Sequence, residues 1–199
     1  GLGNPMATGK AGELLNVTRD LGPFVDVNFN GYYEPQFGEY PDIDGDQAIF
    51  WVYNDKGNIH TESGGDAIGL EIQALAFGFT TNDEINDMTF YRYKVTNFAT
   101  TSLDSTYFGQ WVDSDLGAYD DDWVGCDTLL SLGLCYNGDL VDGPTSPNYG
   151  PNPPIFGTDF FQGPIKYTLD DGVITDSVRL GMSSFLYYDN NFLITGNPE

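Results

Sequence analysis

Acidic residues gather in short loops where Asp alternates with Asn and the run ends on Gly, and this pattern limits how the chain can compact. The first such loop is Asp26-Val27-Asn28-Phe29-Asn30-Gly31, followed by Asp42-Ile43-Asp44-Gly45-Asp46. The second is Asp113-Ser114-Asp115-Leu116-Gly117, then Asp120-Asp121-Asp122 and Asp127. Over 199 residues, 30 Asp and Glu stand against 7 Lys and Arg, a formal net charge of −23. Self-repulsion of that size opposes a compact state unless cations neutralise it. Short oxygen-bearing side chains at every second position, with Gly permitting a tight bend, suit a hard cation such as Ca2+. The ordinary reading of the same acids is a solvated, solubilising surface. Their clustering in Gly/Asn loops, in place of an even spread, favours the cation.

The charge argues against nucleic acid or an anionic membrane surface as partner, since both would be repelled. No stretch approaches the roughly 18 apolar residues of a membrane span, so membrane insertion is not expected. Thirteen Tyr and fourteen Phe are too many aromatics for a disordered acidic chain. The length suits one sizeable core and a single domain. A start at Gly1 reads as a mature product or a piece of a longer chain.

The patterning is β. Ala48 to Tyr53 is a short aromatic and branched run that ends at the turn signal Asn54-Asp55-Lys56-Gly57. Ile59 to Glu62 is a candidate hairpin partner. In Ile68 to Phe79, Leu70, Ile72, Ala74 and Ala76 share one face, with Glu71 and Gln73 on the other. Met88 to Asn97 alternates, and Thr106 to Val112, Val124 to Leu130 and Leu134 to Tyr136 read as further strands. Residues 138 to 158 form a Pro/Gly/Asn loop. Strands are then expected around Phe160, Phe161 and Ile165 and over Ser183 to Tyr188. No helical period of useful length occurs. The expected fold is all-β, a β-sandwich or jelly roll with long acidic, Gly/Pro-rich loops. Residues 1–25 are weakly patterned and read as a segment that docks on the sheet or is donated as a strand; residues 26–199 read as the sandwich domain.

The two cysteines, Cys126 and Cys135, lie close in sequence among strand-like residues. In an exported protein their natural reading is a disulfide; the alternative is two buried free thiols. No further Cys or nearby His completes a zinc site.

Several blocks carry a resemblance. They are Tyr40-Pro41-Asp42-Ile43-Asp44-Gly45-Asp46-Gln47-Ala48-Ile49-Phe50-Trp51, Phe90-Tyr91-Arg92-Tyr93-Lys94-Val95-Thr96-Asn97, and Tyr107-Phe108-Gly109-Gln110-Trp111-Val112-Asp113. With Asp121-Asp122-Trp123-Val124-Gly125-Cys126-Asp127 and Cys135-Tyr136-Asn137-Gly138-Asp139, they resemble a domain of large secreted Bacteroidetes-type surface proteins exported by type IX secretion. The resemblance spans residues 24–199 and implies export to the cell surface or medium. It implies no established activity.

Asp26, Asn28 and Asn30, with Gly31, match the opening of an EF-hand-like loop, and Tyr32 would supply its carbonyl. The closing acid is displaced, because Phe37 stands there; relatives of the resembled domain tend to carry an acid. Glu34, Glu39, Asp42, Asp44 or Asp46 would close the shell instead. The alternative is a loop whose Asx side chains cap their own backbone. Asp113, Asp115, Asp121, Asp122 and Asp127 form the second candidate, since carboxylates held close need a counter-ion. Convergence of loops at one end of a sandwich would merge the two sites.

Core packing is the ordinary role of Trp51, Trp111 and Trp123; stacking of Trp111 and Trp123 on sugar rings is the functional alternative. His60, the one histidine, reads as structural. No nucleophile elbow accompanies it, no pair of acids is marked as a glycosidase pair, and an enzyme is not expected. Ser105, Thr128 and Ser177 follow an Asp-Ser/Thr-apolar O-glycosylation pattern of the same bacteria. Asn16-Val17-Thr18 is a formal N-glycosylation sequon. The combined expectation is a Ca2+-stabilised, extracellular or cell-surface module of structural or adhesive kind, self-associating or binding other surface proteins. The alternative is a carbohydrate-binding module attached to a secreted enzyme, with glycans as partners.

Overall fold

The computed structural model describes residues 11–13, 21–57, 59–144 and 146–187. The fold is all-β. Among the described residues ten strands form four antiparallel sheets, accompanied by two short 3-10 turns at Pro35–Phe37 and Glu84–Asp87. This organisation fits the sandwich class. The chain divides into two compact units, Gly1–Thr106 and Tyr107–Glu199.

In the first unit, β1 (Phe24–Val25) pairs with β2 (Tyr40–Pro41), placing Phe24 opposite Pro41 and Val25 opposite Tyr40. The three-stranded sheet runs β3 (Gln47–Asn54), β4 (Leu70–Gly78), β5 (Phe90–Asn97), with β4 central. Ala74 lies between Trp51 and Tyr93 in register, and its small side chain leaves room for both rings. Ala74 and Leu75 are the buried apolar residues of this sheet. Phe77 stacks on Phe90 at 5.3 Å between centroids, and Phe79 meets both edge-on. One cross-strand aromatic pair, Phe77 with Phe90, thus closes this end of the β4–β5 ladder.

Two side chains fasten the ends of this sheet. Asp55, just past β3, accepts from the backbone N–H groups of Ile68, Gly69 and Leu70. His60 Nε2 donates to the Asp55 carbonyl at 2.8 Å, which gives it the structural role expected. At the other end, Asp46 N–H donates to Gly78 O at 2.9 Å and Thr80 N–H to Asp46 Oδ2 at 2.7 Å. Gly45 has φ +73°, and a Cβ there would run into the Gly78 carbonyl, so this crossing requires glycine.

In the second unit, β6 (Asp122–Asp127), β7 (Leu132–Asn137) and β8 (Ile155–Asp159) form one sheet with β7 central. A separate hairpin joins β9 (Ile165–Asp170) to β10 (Val173–Arg179). Its turn residues Asp171 and Gly172 both have positive φ, 46° and 80°, the arrangement of a type I′ hairpin turn. Leu116, Ala118 and Cys135 are the buried apolar residues of this unit.

Several expected strands are absent. Ile59–Glu62 holds turns, and β3 pairs with β4 instead. The stretch 106–112 is extended coil without a ladder partner among the described residues, and 183–187 forms no strand with them. The loop expected over 138–158 contains the start of β8. Tyr188, the sequon at Asn16 and most of the N-terminal segment lie outside the described residues; the end of that segment, Phe24–Val25, is β1.

Candidate cation sites

The pairing of β1 with β2 closes the loop between them. One position beyond Val25 and Tyr40 in the same register stand Asp26 and Glu39. Asp26 accepts from the loop at two points, with Asn30 N–H on Oδ1 at 3.2 Å and Gly31 N–H on Oδ2 at 2.8 Å. Asn28 Oδ1 accepts from Asn30 N–H at 3.0 Å, and Asn30 Oδ1 from Tyr32 N–H at 2.8 Å. Both Asn amides donate to Glu34 Oε2, at 3.2 and 2.5 Å. These are Asx-turn bonds, as the capping alternative foresees. They turn the loop about Gly31, at φ +79°, and hold its short side chains together.

Glu39 departs from that pattern of satisfied groups. It is only 4% exposed. Its Oε2 accepts from Glu34 N–H at 2.5 Å, while Oε1 is buried with no hydrogen-bond partner among the described residues. A buried, unpaired carboxylate oxygen is costly, and a bound cation would satisfy it.

Asp42, Asp44 and Asp46 do not join this loop. Asp44 pairs with Arg92 at 2.8 Å, Asp46 caps the end of β4, and Asp42 is exposed. Each acid follows its own strand end, so proximity in sequence does not bring them together.

In the second unit the candidate acids separate. Asp113 is exposed on the coil. Asp127 sits at the opposite end of β6 from Asp122, where Oδ1 accepts from Leu129 and Leu130 N–H at 2.9 and 3.1 Å and closes the turn into β7. Asp121 and Asp122 stay together. Asp122 Oδ2 accepts from Leu116 N–H at 2.9 Å, and Asp121 Oδ2 from Gly143 N–H at 3.0 Å. The Oδ1 atoms of both are buried without a partner among the described residues. Burial pushes the Asp122 carboxyl above the usual carboxylate range, the Leu116 N–H opposes it, and the charges of Asp121, Asp142 and Asp115 add to it.

Two residues that the spacing did not single out complete the surroundings. Asp142, 1% exposed, accepts from Ala118 N–H at 2.9 Å and from Tyr149 N–H, and so pins the loops on either side. Asn137 lies directly opposite Asp122 across the β6–β7 ladder. The signal for Asn137 was its place at the strand end facing the acidic run. Nothing local marked Asp142. Among the described residues no group of three or more His, Cys, Asp and Glu side chains is gathered as a metal cluster. A cation at either place would take mixed ligands: carboxylates, Asn amide oxygens and backbone carbonyls.

The disulfide expectation is corrected. Cys126 and Cys135 are free thiols. Cys126 pairs with Gly133 and Cys135 with Val124, so the two cysteines are diagonal neighbours across β6 and β7. Diagonal positions are about 7–8 Å apart, beyond the roughly 4.4–6.8 Å that a disulfide bridges between Cα atoms. Burial pushes the Cys135 thiol above its ordinary range, with the charges of Asp122 and Asp115 adding to it; Sγ lies 3.7 Å from Ser114 O.

Trp111 and Trp123 are 67% and 63% exposed, so core packing is not their role. The Trp123 indole edge lies against Gly138, where a Cβ would clash with it. Ser105, Thr128 and Ser177 are all exposed, in coil, in the β6–β7 turn and on β10 respectively. No family model, curated protein or solved structure matches this chain.

Proposed function

We propose that this chain is a calcium-stabilised extracellular module of structural or adhesive kind. The observation that carries the reading is Glu39 Oε1, buried beside the Asp26–Glu34 loop and unpaired among the described residues. Asp26, Asn28, Asn30 and the Tyr32 carbonyl supply the hard oxygens of the loop, and Glu39, reached through the β1–β2 ladder, takes the part of the closing acid. The ion would lower the charge of a strongly acidic chain and lock the entry to the first sheet. The resemblance to secreted Bacteroidetes-type surface proteins supports an extracellular setting, where free Ca2+ is high enough for modest affinity. A contact role is supported by the exposed aromatic row of Trp51, Tyr53, Tyr91 and Tyr93 on one face of β3 and β5. The test is light scattering of the whole chain in Ca2+ and in chelator. Calcium-dependent self-association supports a structural role, and a monomer in both conditions removes it.

A carbohydrate-binding module is the second reading, favoured by the exposure of Trp111 and Trp123. Aromatic faces of this kind stack on sugar rings. Titration of a glycan panel against tryptophan fluorescence tests it, with Trp123→Ala as control. Silence across the panel removes it.

A further inference from the structure

We propose that the second unit holds a calcium ion of its own, bound by Asp121, Asp122 and Asn137. The inference does not rest on the Asp26 loop, which belongs to the other unit.

The decisive group is Asn137. It is 9% exposed, and its Oδ1 is buried with no partner among the described residues. The amide orientation is fixed chemically. Nδ2 donates to the Asp139 carbonyl at 3.1 Å, an atom that can only accept. Turning the amide over would set oxygen against oxygen, so Oδ1 faces away from Asp139. Asp122 is opposite Asn137 in register, and directly paired residues project from the same face of the sheet. Its Oδ1 is also buried and unpaired, as is that of Asp121 one step further along. The Asp121 carbonyl holds Gly138 N–H at 2.9 Å, which brings the two strand ends together at this point.

Asp122 Oδ1 and Asn137 Oδ1 thus share one face of the strand ends without a donor among the described residues, and the Oδ1 of the adjoining Asp121 is likewise unpaired there, so three acceptor oxygens and two negative charges are buried at this point. A buried water could donate to only two of them, and it carries no charge. A basic side chain is no remedy. In residues 107–199 only Lys166 and Arg179 are basic, and both lie on the β9–β10 hairpin, with Arg179 Nη1 donating to Gly163 O at 3.0 Å. A divalent, oxygen-seeking cation supplies both the charge and the missing contacts. Carboxylate and amide oxygens select Ca2+ over softer metals. Asp142 acts as a positioning residue, since its two oxygens are already taken by backbone donors.

The test is a calorimetric Ca2+ titration of the whole chain as wild type, Glu39→Gln, Asp122→Asn and Asn137→Asp, with circular dichroism to check the fold. Asp122→Asn is expected to bind one ion fewer than wild type, whatever Glu39→Gln does. Loss of an ion in Glu39→Gln alone overturns this site and leaves the Asp26 loop standing; loss in Asp122→Asn alone does the reverse. Asn137→Asp keeps an oxygen ligand and adds charge, so its melting temperature should rise more with Ca2+ than that of the wild type. This readout holds even if Asp122→Asn does not fold, and an unchanged calcium response in Asn137→Asp overturns the proposal.

Discussion

Asp26 and Glu39 flank the Val25–Tyr40 pair at the mouth of the β1–β2 ladder, each one residue beyond it. Twelve residues of loop separate them in sequence, yet two short strands of two residues each bring their backbones to the same end of one ladder. Burial of Glu39 Oε1 without a partner among the described residues gives that arrangement an energetic cost, which a bound cation would remove.

The first prediction concerns Glu39→Gln. The amide keeps an oxygen for the Glu34 N–H and removes the buried charge and its unpaired acceptor, so the variant in chelator should be more stable than wild type. Relief of one unsatisfied buried acceptor is worth about 1–3 kcal/mol. The same change removes a ligand, so added Ca2+ should stabilise it less than wild type. Thermal unfolding of both proteins in both conditions checks the crossing of these effects.

The thiols give a second test. Without reductant, the denatured protein should titrate two free thiols per chain, because Cys126 and Cys135 are diagonal and unbonded. In the native protein Cys126 should react before the buried Cys135, whose thiol is pushed up and so is less often the reactive thiolate. A single fast phase of two thiols would contradict this order.

Asp55 sets a pH dependence. Partial burial raises its carboxyl, and the N–H groups of Gly69, Ile68 and Leu70 outweigh that and hold it below the usual 3.8. A folded-state value below the unfolded one means the contribution is present above the unfolded value and is lost as pH falls through the folded one. Asp55→Ala should therefore lower the melting temperature at neutral pH and by progressively less as the solution is acidified below about pH 4. Melting curves over that range, wild type against variant, measure it; a constant difference would contradict the assignment.

Gly45 and Gly64 separate two costs. Both have positive φ, but a Cβ at Gly45 meets the Gly78 carbonyl while one at Gly64 meets open space. Gly64→Ala should cost about 1–2 kcal/mol for the left-handed backbone alone. Gly45→Ala should cost clearly more, because β3 and β4 must also part at their end. Denaturant titrations of the two variants give the comparison.

The strands legible in the sequence are those whose alternation is local: β3, β4 and β5 stand within a residue or two of their expected bounds. β8 lay hidden in a Pro/Gly/Asn stretch, because its pairing with β7 is set across the sheet. Thr106–Val112 shows the converse: apolar alternation without a partner strand makes no sheet. β10 had a usable signal in Asp171-Gly172, the hairpin pair, which the surrounding acids obscured. The candidate sites divide in the same way. The Asp26–Asn30 spacing is local and could be read directly, and Glu39 was one of several acids able to close it. Choosing it required the β1–β2 register. Asn137 and Asp142 reach the second cluster only through ladder pairing and loop return, while Asp113, on exposed coil, and Asp127, at the far end of β6, do not join it although they lie nearer in sequence.

The most direct measurement is thermal unfolding of the wild-type chain in Ca2+ and in chelator. At Ca2+ a hundredfold above its dissociation constant, one ion stabilises by about 2.7 kcal/mol, which for a chain of this size raises the melting temperature by roughly 5–10 °C. A rise of that order is the predicted result. Superimposable curves in Ca2+ and chelator would contradict a calcium-stabilised fold.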